Sequence, residues 1–379
     1  MDRSTTRWAW AEIDLDAYRH NIRVLADVAG ESQVWVVVKA NAYGHGAVPI
    51  ARAALEAGAT GLCVAITAEG VELRQAGIEA PILVFSEQPI EELHTMVHHR
   101  LTPTVYRADH VDALAAAARA AGVVGVGVHL KVDTGMHRVG ADPIDVPTLA
   151  ERIREHAPVV HLAGVYTHFA AADQPEHPAN SMQAQRFEAA LRNLGHLDDG
   201  VLVHAVNSAG ALAFADQRRS LVRLGIATYG ISPGAGVDHL CGDLRPVLSL
   251  KARVSRVQTL VAGEGVSYGH RRVVSRPTVV ATIPIGYADG VPRRLWNNGG
   301  VVLIGGQPCP IIGVVTMDQL MVDCGEPSSA DVSVGDIAVL LGRQGAHEIR
   351  AEDWASALDT IGYEITCGIG SRVPRIVAP

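Results

Sequence analysis

The stretch VWVVVKANAYGHG (Val34–Gly46) decides how the rest of the chain is read. Its five apolar residues, Val34–Val38, make a strand with no side to turn toward water, as expected in a parallel sheet covered on both faces. Lys39 follows without a polar break, and a loop with Asn41, Tyr43, Gly44, His45 and Gly46 comes after it. A charge at the end of a buried strand costs solvation energy, so it calls for a partner or a use. Seven more apolar runs follow: Gly61–Ile66, Pro81–Phe85, Thr102–Tyr106, Val126–Val132, Leu162–Phe169, Val201–Val206 and Leu221–Leu224. Between them lie amphipathic segments such as AVPIARAALEAG (Ala47–Gly58), whose apolar residues recur every three or four positions and which often close on glycine. Eight strand–helix units favour a closed (β/α)8, TIM-like barrel over an open sheet. No clear eighth helix follows Leu224, and Asp14–Gly30, ahead of the first strand, is the candidate for that place.

The pattern changes after the glycine- and proline-rich linker Ile231–Pro246. From Val247 on, short apolar runs crowd together between turn residues, which predicts a C-terminal β-rich domain with one helix near AEDWASALDT (Ala351–Thr360). The expected organisation is a barrel over 12–240 and a β-domain over 241–379, with residues 1–11 and the early strand Trp8–Leu15 as candidate additions to the second. A chain of 379 residues accommodates that division. With 48% hydrophobic and 19% charged residues it is a folded globular protein rather than a disordered one. A net charge of −8 without a basic stripe argues against nucleic acid or an anionic membrane as partner. The opening MDRSTTRWAWAEID lacks the apolar core of a secretory signal, and no run approaches the ~18 apolar residues of a membrane span, so a cytoplasmic location is expected. Cys63, Cys241, Cys309, Cys324 and Cys367 are odd in number, scattered and without a C-x-x-C pair; they are expected to be free thiols, with no metal site.

Barrel enzymes carry their chemistry at the C-terminal ends of the strands. Here those ends hold Lys39 and Tyr43, then His129, Lys131, Asp133 and Arg138, then Tyr166, His168 and Asp173, then His204, Asn207 and Ser208, and last Arg223 and Gly225. Each has an ordinary explanation when taken alone. Lys39 could be a rim lysine reaching water, Lys131 half of an ion pair, His168 a core histidine, and Asn207 and Ser208 caps of the next helix. Arg223, in an apolar strand, cannot shed its charge and needs an acceptor in any case. Their joint placement on one side of one mouth points to a site. A lysine in a partly desolvated pocket has a lowered pKa and can form a Schiff base, either with a carbonyl substrate or with pyridoxal phosphate. A phosphate site discriminates: NSAG after the seventh strand and LGIA around the eighth lie where barrels bind phosphate, with small residues that let backbone N–H groups approach an anion. Arg223, just upstream, could face a pyridine nitrogen.

Nine motifs in order, VVKANAYGHG, LKVDTGMHRVG, THFAAAD, NSAGAL, VRLGIATYG, VSYGHR, IGYADG, MDQLMVD and GSRVPR, cover essentially the whole chain, which resembles the alanine racemase family, pyridoxal-phosphate enzymes of fold type III. The resemblance implies that Lys39 holds the cofactor and is one of two bases. It implies that Tyr43, Ser208, Gly225, Ile226 and Tyr363 bind the cofactor phosphate, with Asn207 beside them, and that Arg223 faces the pyridine nitrogen. Arg138 would hydrogen-bond the phenolic oxygen and reach the substrate carboxylate. His168 would link Arg223 to the second base, Tyr268. Tyr287, Met317 and Asp318 would line the substrate pocket, Met317 with its backbone amide near the carboxylate. Lys131 matches a lysine that is carbamylated in some members, where the added acid anchors Arg138. One position departs: the family often has cysteine where Thr316 stands, with a modest effect on substrate tuning expected.

The implied activity is the interconversion of L- and D-alanine, an isomerisation that supplies D-alanine for peptidoglycan. Racemisation removes the α-proton from one face and returns one to the other, so a base is needed on each side, here Lys39 and Tyr268. A free phenol titrates near ~10, and a chain Arg223–His168–Tyr268 would supply positive potential and orient it. In the family this tyrosine comes from the partner subunit, which implies a homodimer with two shared sites. Arginine is no proton donor near neutrality, so Arg223 would leave the pyridine nitrogen unprotonated and weaken the cofactor as an electron sink. That argues against an amino-acid decarboxylase of the same plan, in which a carboxylate generally faces that nitrogen. A non-catalytic pyridoxal-phosphate-binding protein resembles the barrel alone, and the β-domain argues against it. A racemase of broader specificity, acting on serine or larger amino acids, stays open.

Overall fold

The computed structural model describes residues 7–378. They divide into a unit built from Tyr18–Ala42 and Gly46–Arg245 and a second built from the chain through Ala17, Tyr43–His45, and Pro246 onward. The opening strand, β1 (Ala9–Ile13), belongs to the second unit.

The first unit is the barrel. Its strands are β2 (Gln33–Val37), β3 (Gly61–Val64), β4 (Ile82–Val84), β5 (Thr102–Val105), β6 (Val126–Lys131), β7 (Val160–Tyr166), β8 (Leu202–His204) and β9 (Leu221–Leu224). They form one sheet in the order β8-β7-β6-β5-β4-β3-β2-β9, parallel in every pairing. The circle closes where Ser220 N donates to Val203 O at 3.1 Å and Arg223 N to Val206 O at 3.2 Å. All eight expected strands are present, but several end short of the expected boundary. Apolar residues such as Ile66, Phe85, Val132 and Phe169 continue past the last residue of their strands. The helix Leu15–Ala29 takes the open place after β9: the Tyr18 ring lies 5.4 Å from that of Tyr229, and Asn21 Nδ2 donates to Thr228 O at 3.0 Å.

Side chains of alternate strands fill the barrel in layers. One layer holds Trp35 of β2, His129 of β6 and His204 of β8, with ring centroids 5.7 and 5.0 Å apart in succession. Another holds Thr104 of β5, Tyr166 of β7 and Arg223 of β9; the two hydroxyls are 2.9 Å apart and the guanidinium lies 5.2 Å over the Tyr166 ring. Val34 and Val36 are also buried and point to the opposite side of β2. Each such valine contributes about 1.5–3 kcal/mol by leaving water. The apolar work is thus done largely outside the strands, and the interior is free to be polar.

In the second unit, β1 pairs antiparallel with β10 (Leu248–Arg253) and parallel with β20 (Arg375–Val377), so both ends of the chain enter one sheet. That sheet has the order β16-β15-β18-β10-β1-β20, with β15 (Val301–Ile304), β16 (Gln307–Pro310) and β18 (Ile337–Gln344), and β19 (His347–Ile349) adds to β18. A second sheet is β11 (Arg256–Leu260), β14 (Thr278–Ile283) and β17 (Leu320–Asp323). Between the short strands β12 (Gly265–Val266) and β13 (Arg272–Val273) stands the turn with Tyr268. Val266, Val274, Val280 and Ile312 form the apolar base beneath it. The expected helix is Ala351–Leu358; a second, Gly362–Cys367, lies outside the sequence expectation.

Candidate active site

Arg223 is the centre of the barrel mouth. Its residue is 1% exposed, and among the described residues no carboxylate pairs with it. Nη2 donates to Thr167 O and Ala205 O, both at 2.8 Å, and to His168 Nδ1 at 3.3 Å; Nη1 donates to His204 Nδ1 at 2.6 Å. Burial pulls its pKa down only to about 10, so it stays protonated near neutrality. The charge fixes the imidazoles around it. Burial, then Arg223, hold His168 and His204 well below the ordinary histidine value and bring His129 down to about 3. A neutral His204 that accepts at Nδ1 carries its proton on Nε2, which faces His129 Nδ1 at 2.9 Å. The hydrogen bonds therefore run outward from Arg223 in one direction. The sequence reading names His129 and His204 without a role; the available signal was their place on inward positions of alternate strands.

Lys39 is half-buried at the start of an unusual turn. Ala40, Asn41, Ala42 and Tyr43 all adopt φ between 51 and 54, a left-handed run of non-glycine residues that costs roughly 1–2 kcal/mol per residue. Bonds from the barrel unit hold it. Ala40 N donates to Glu69 Oε1 at 2.6 Å, Ala42 N to Val38 O at 2.8 Å, and Asn41 Oδ1 accepts from Ala47 N at 2.8 Å. The charge of Lys39 bears on both His168 and Lys131. Lys131 is buried, donates to Phe85 O at 3.4 Å, and is brought down to about 7, first by burial and then by the charges of Arg138 and Arg223. Arg138 itself is exposed and sits in a loop tied by Asp133 Oδ1, which accepts from Gly135 N and His137 N at 3.0 Å. Lys131, Arg138 and His168 line one small cavity.

Ser208 and the segment after β9 form a cradle. Ser208 Oγ accepts from Gly225 N at 2.8 Å and from Ala227 N at 3.4 Å, and Ile226 is buried between them. Asn207 caps the helix Ser208–Ala213, its Oδ1 accepting from Gly210 N at 3.0 Å. The mouth thus offers amides and small residues on one side and a buried cation without a counter-charge on the other. This donor set fits a phosphate and an uncharged ring nitrogen, as pyridoxal phosphate presents.

The β-rich unit holds the remaining candidates. The rings of Tyr43 and Tyr363 lie 6.0 Å apart. Gly44, at φ +85, leaves no room for a side chain: a Cβ there would meet Thr366 O at 2.2 Å. Arg375 grips the same loop, donating through Nε to Gly44 O at 2.8 Å. Tyr287 N donates to Thr316 O and Ala288 N to Met317 O, both at 3.0 Å, which brings the IGYADG and TMDQ turns together. Tyr287 and Met317 are 41% and 52% exposed. Asp318 is occupied by Arg372 at 2.7 Å, a partner the sequence reading did not assign. Tyr268 is 71% exposed, on a turn braced by Ser267 Oγ donating to Val314 O at 2.6 Å. His45 is buried, with Nδ1 3.0 Å from Tyr43 O, which makes it a structural member of its loop.

A polar-lined (β/α)8 barrel with a strand-end lysine, followed by a β-rich unit, belongs to the class of two-domain racemase enzymes. The models named alanine racemase, N-terminal domain, and alanine racemase, C-terminal domain, match residues 13–233 and 247–377. An alanine racemase of Symbiobacterium thermophilum is 46% identical over 99% of this chain and 98% of its own, and one of Thermobifida fusca is 43% identical over 97% and 98%. The crystal structure of alanine racemase from D-cycloserine-producing Streptomyces lavendulae has a TM-score of 0.90 at 40% identity, covering 99% of this chain and 98% of its own. That of the Bacillus anthracis enzyme with bound L-Ala-P has a TM-score of 0.91 at 38% identity, covering 99% and 96%. The chain belongs to the alanine racemase family.

Proposed function

We propose that this protein interconverts L- and D-alanine with pyridoxal phosphate, supplying D-alanine for peptidoglycan in the cytoplasm. The observation that carries the reading is Arg223: a buried, protonated guanidinium whose described hydrogen-bond partners are all carbonyls and neutral imidazoles. Among the described residues no helix is long and apolar enough to cross a membrane.

Lys39 would hold the cofactor. Tyr43, Ser208, Gly225, Ile226 and Tyr363 would take its phosphate, with Asn207 keeping the helix N-terminus in place, and Arg223 its ring nitrogen. When bound, pyridoxal phosphate acidifies the α-C–H of the amino acid it carries. Lys39 Nζ would then take or return the α-proton on one side. Tyr268 Oη of a second copy would do the same on the other, which makes the working unit a homodimer; the high exposure of Tyr268 in one chain supports this. His168 accepts from Arg223 at Nδ1, so its proton sits on Nε2, a donor suited to a phenolate oxygen. Arg138, Tyr287 and the Met317 amide would orient the substrate carboxylate. Asp318 would act by fixing that turn through Arg372 rather than by touching substrate. The test is a chiral product assay over L-alanine, L-serine and larger L-amino acids, with carbon dioxide release followed in parallel. D-alanine formation without gas release is expected. A preference for serine would move the assignment to a broader racemase, and gas release would overturn it.

A further inference from the structure

The geometry points to a redox-addressable cysteine pair, Cys309 and Cys324, that a peroxide converts to a disulfide stapling the two sheets of the β-rich unit at their shared edge. This does not rest on the proposed reaction. Strand β16 is the edge of the larger sheet and β17 the edge of the smaller one. They meet where Ile311 bridges Val322 antiparallel and Ile312 N donates to Met321 O at 2.9 Å. Running that register back along one strand and on along the other sets Pro310 opposite Asp323 and Cys309 opposite Cys324.

The alternation of the ladder then matters. Ile312–Met321 is a hydrogen-bonded position, so Pro310–Asp323 is the next one, and Pro310 has no N–H to give. The seam is weakened at the point where the cysteines face each other. Cys309–Cys324 falls at a non-hydrogen-bonded position, where facing Cα atoms stand about 4.5 Å apart, inside the roughly 4.4–6.8 Å a disulfide spans. Their side chains share the face of the buried Ile311 and Val322. Cys309 is 6% exposed and Cys324 half-buried, and both are free thiols. The flanks are anchored: Cys309 lies opposite Val302 of β15, and Cys324 N donates to Val279 O at 2.9 Å. Each sulfur faces the S–H of the other, so a thiolate formed on either one is met by a donor. Whichever sulfur loses its proton reacts first, and the other resolves.

The thiolate of one cysteine attacks one peroxide oxygen, the O–O bond breaks, and the departing hydroxide takes a proton to leave as water, giving a sulfenic acid. The second sulfur then attacks the first, the S–O bond breaks, and the hydroxyl leaves with the second cysteine's proton as a second water. Both sulfurs are oxidised and one peroxide is reduced. The loop so closed, residues 309–324, carries Met317 and Asp318.

The test uses the full-length, reduced protein exposed to hydrogen peroxide, followed by intact-mass and non-reducing peptide analysis. The expected product has lost about 2 Da, contains a peptide linking Cys309 to Cys324, and returns to the starting mass with dithiothreitol. Cys309→Ser and Cys324→Ser each abolish it, and in each variant a dione probe of sulfenic acid labels the cysteine that remains of the pair. Five intact thiols after peroxide, irreversible oxidation of Cys309 or Cys324 without the link, or a disulfide through Cys63, Cys241 or Cys367 would each overturn the inference.

Discussion

Replacing Lys131 with methionine should make the protein more stable, not less, in carbon-dioxide-free buffer. Lys131 is buried beside Arg138 and Arg223, and its pKa falls from 10.5 to about 7. Between those values the folded state binds fewer protons than the unfolded one, so stability rises with pH through that window. At about pH 7.5 the charge-related penalty is on the order of 4 kcal/mol; below pH 7 it reaches about 5, and near pH 10.5 it vanishes. Methionine keeps the length and removes the charge. The hydrogen bond lost is the long one to Phe85 O, and that carbonyl still accepts from Tyr166 Oη at 3.0 Å. The assay is urea unfolding of wild type and Lys131→Met at one protein concentration from pH 6 to 10. The advantage of the variant should shrink steadily above pH 7. An advantage that is flat with pH, or a less stable variant at pH 7, would refute the reasoning. Added bicarbonate gives the neutral amine carbon dioxide to react with. The Nζ–C bond forms, one N–H proton goes to buffer, and a carbamate faces Arg138. Bicarbonate should therefore stabilise the wild type and leave Lys131→Met unmoved.

Borohydride reduction of the cofactor-loaded protein should label Lys39 alone among the three lysines. Lys251 is held by Glu12 at 2.6 Å, and a label on it or on Lys131 would remove Lys39 from its role. Tyr268→Phe should slow α-proton exchange from one enantiomer of alanine by about 10²–10⁴-fold more than from the other, read by deuterium uptake; equal slowing of both would refute the two-base reading. Ser208→Ala strips Gly225 N of its acceptor and should weaken cofactor binding by roughly tenfold, about 1–2 kcal/mol for one lost hydrogen bond. Unchanged affinity would show that the hydroxyl only stitches its own loop.

The barrel was legible in the sequence because its strands are largely apolar runs, buried on both faces, and its helices are amphipathic. That contrast finds eight strands but not their ends, since apolar residues such as Phe169 run on past the ladder. The fate of the termini was half legible. Trp8–Leu15 is long enough to show as the strand that became β1, whereas β20 has three residues and no pattern. The helix Gly362–Cys367 has six residues and no side-chain cap, so nothing announces it. The left-handed turn after Lys39 was out of reach for another reason. Of Ala40, Asn41, Ala42 and Tyr43, only asparagine favours positive φ. The turn is imposed by bonds from distant positions such as Glu69, which no local rule registers.

The site residues were legible as types and places, but their protonation was not, and the protonation sets the chemistry. Arg223 is the buried group at the centre of the mouth that cannot give up its proton near neutrality. Every imbalance is therefore resolved by its neighbours. His204 and His168 are held neutral and must accept from it, so both imidazoles carry their protons on the far nitrogen. A carboxylate at position 223 would do the reverse, drawing protons onto the near nitrogens and favouring charged imidazoles. His168 would then face the second base with an acceptor, or share one positive charge with a protonated ring nitrogen. One residue would thus bear on two sides of the proposed reaction at once. In the proposed reaction Arg223 would leave the ring nitrogen without a proton and, through His168, would present a donor to a phenolate. Substituting it alone should change both together, which separates it from any residue that merely packs the mouth.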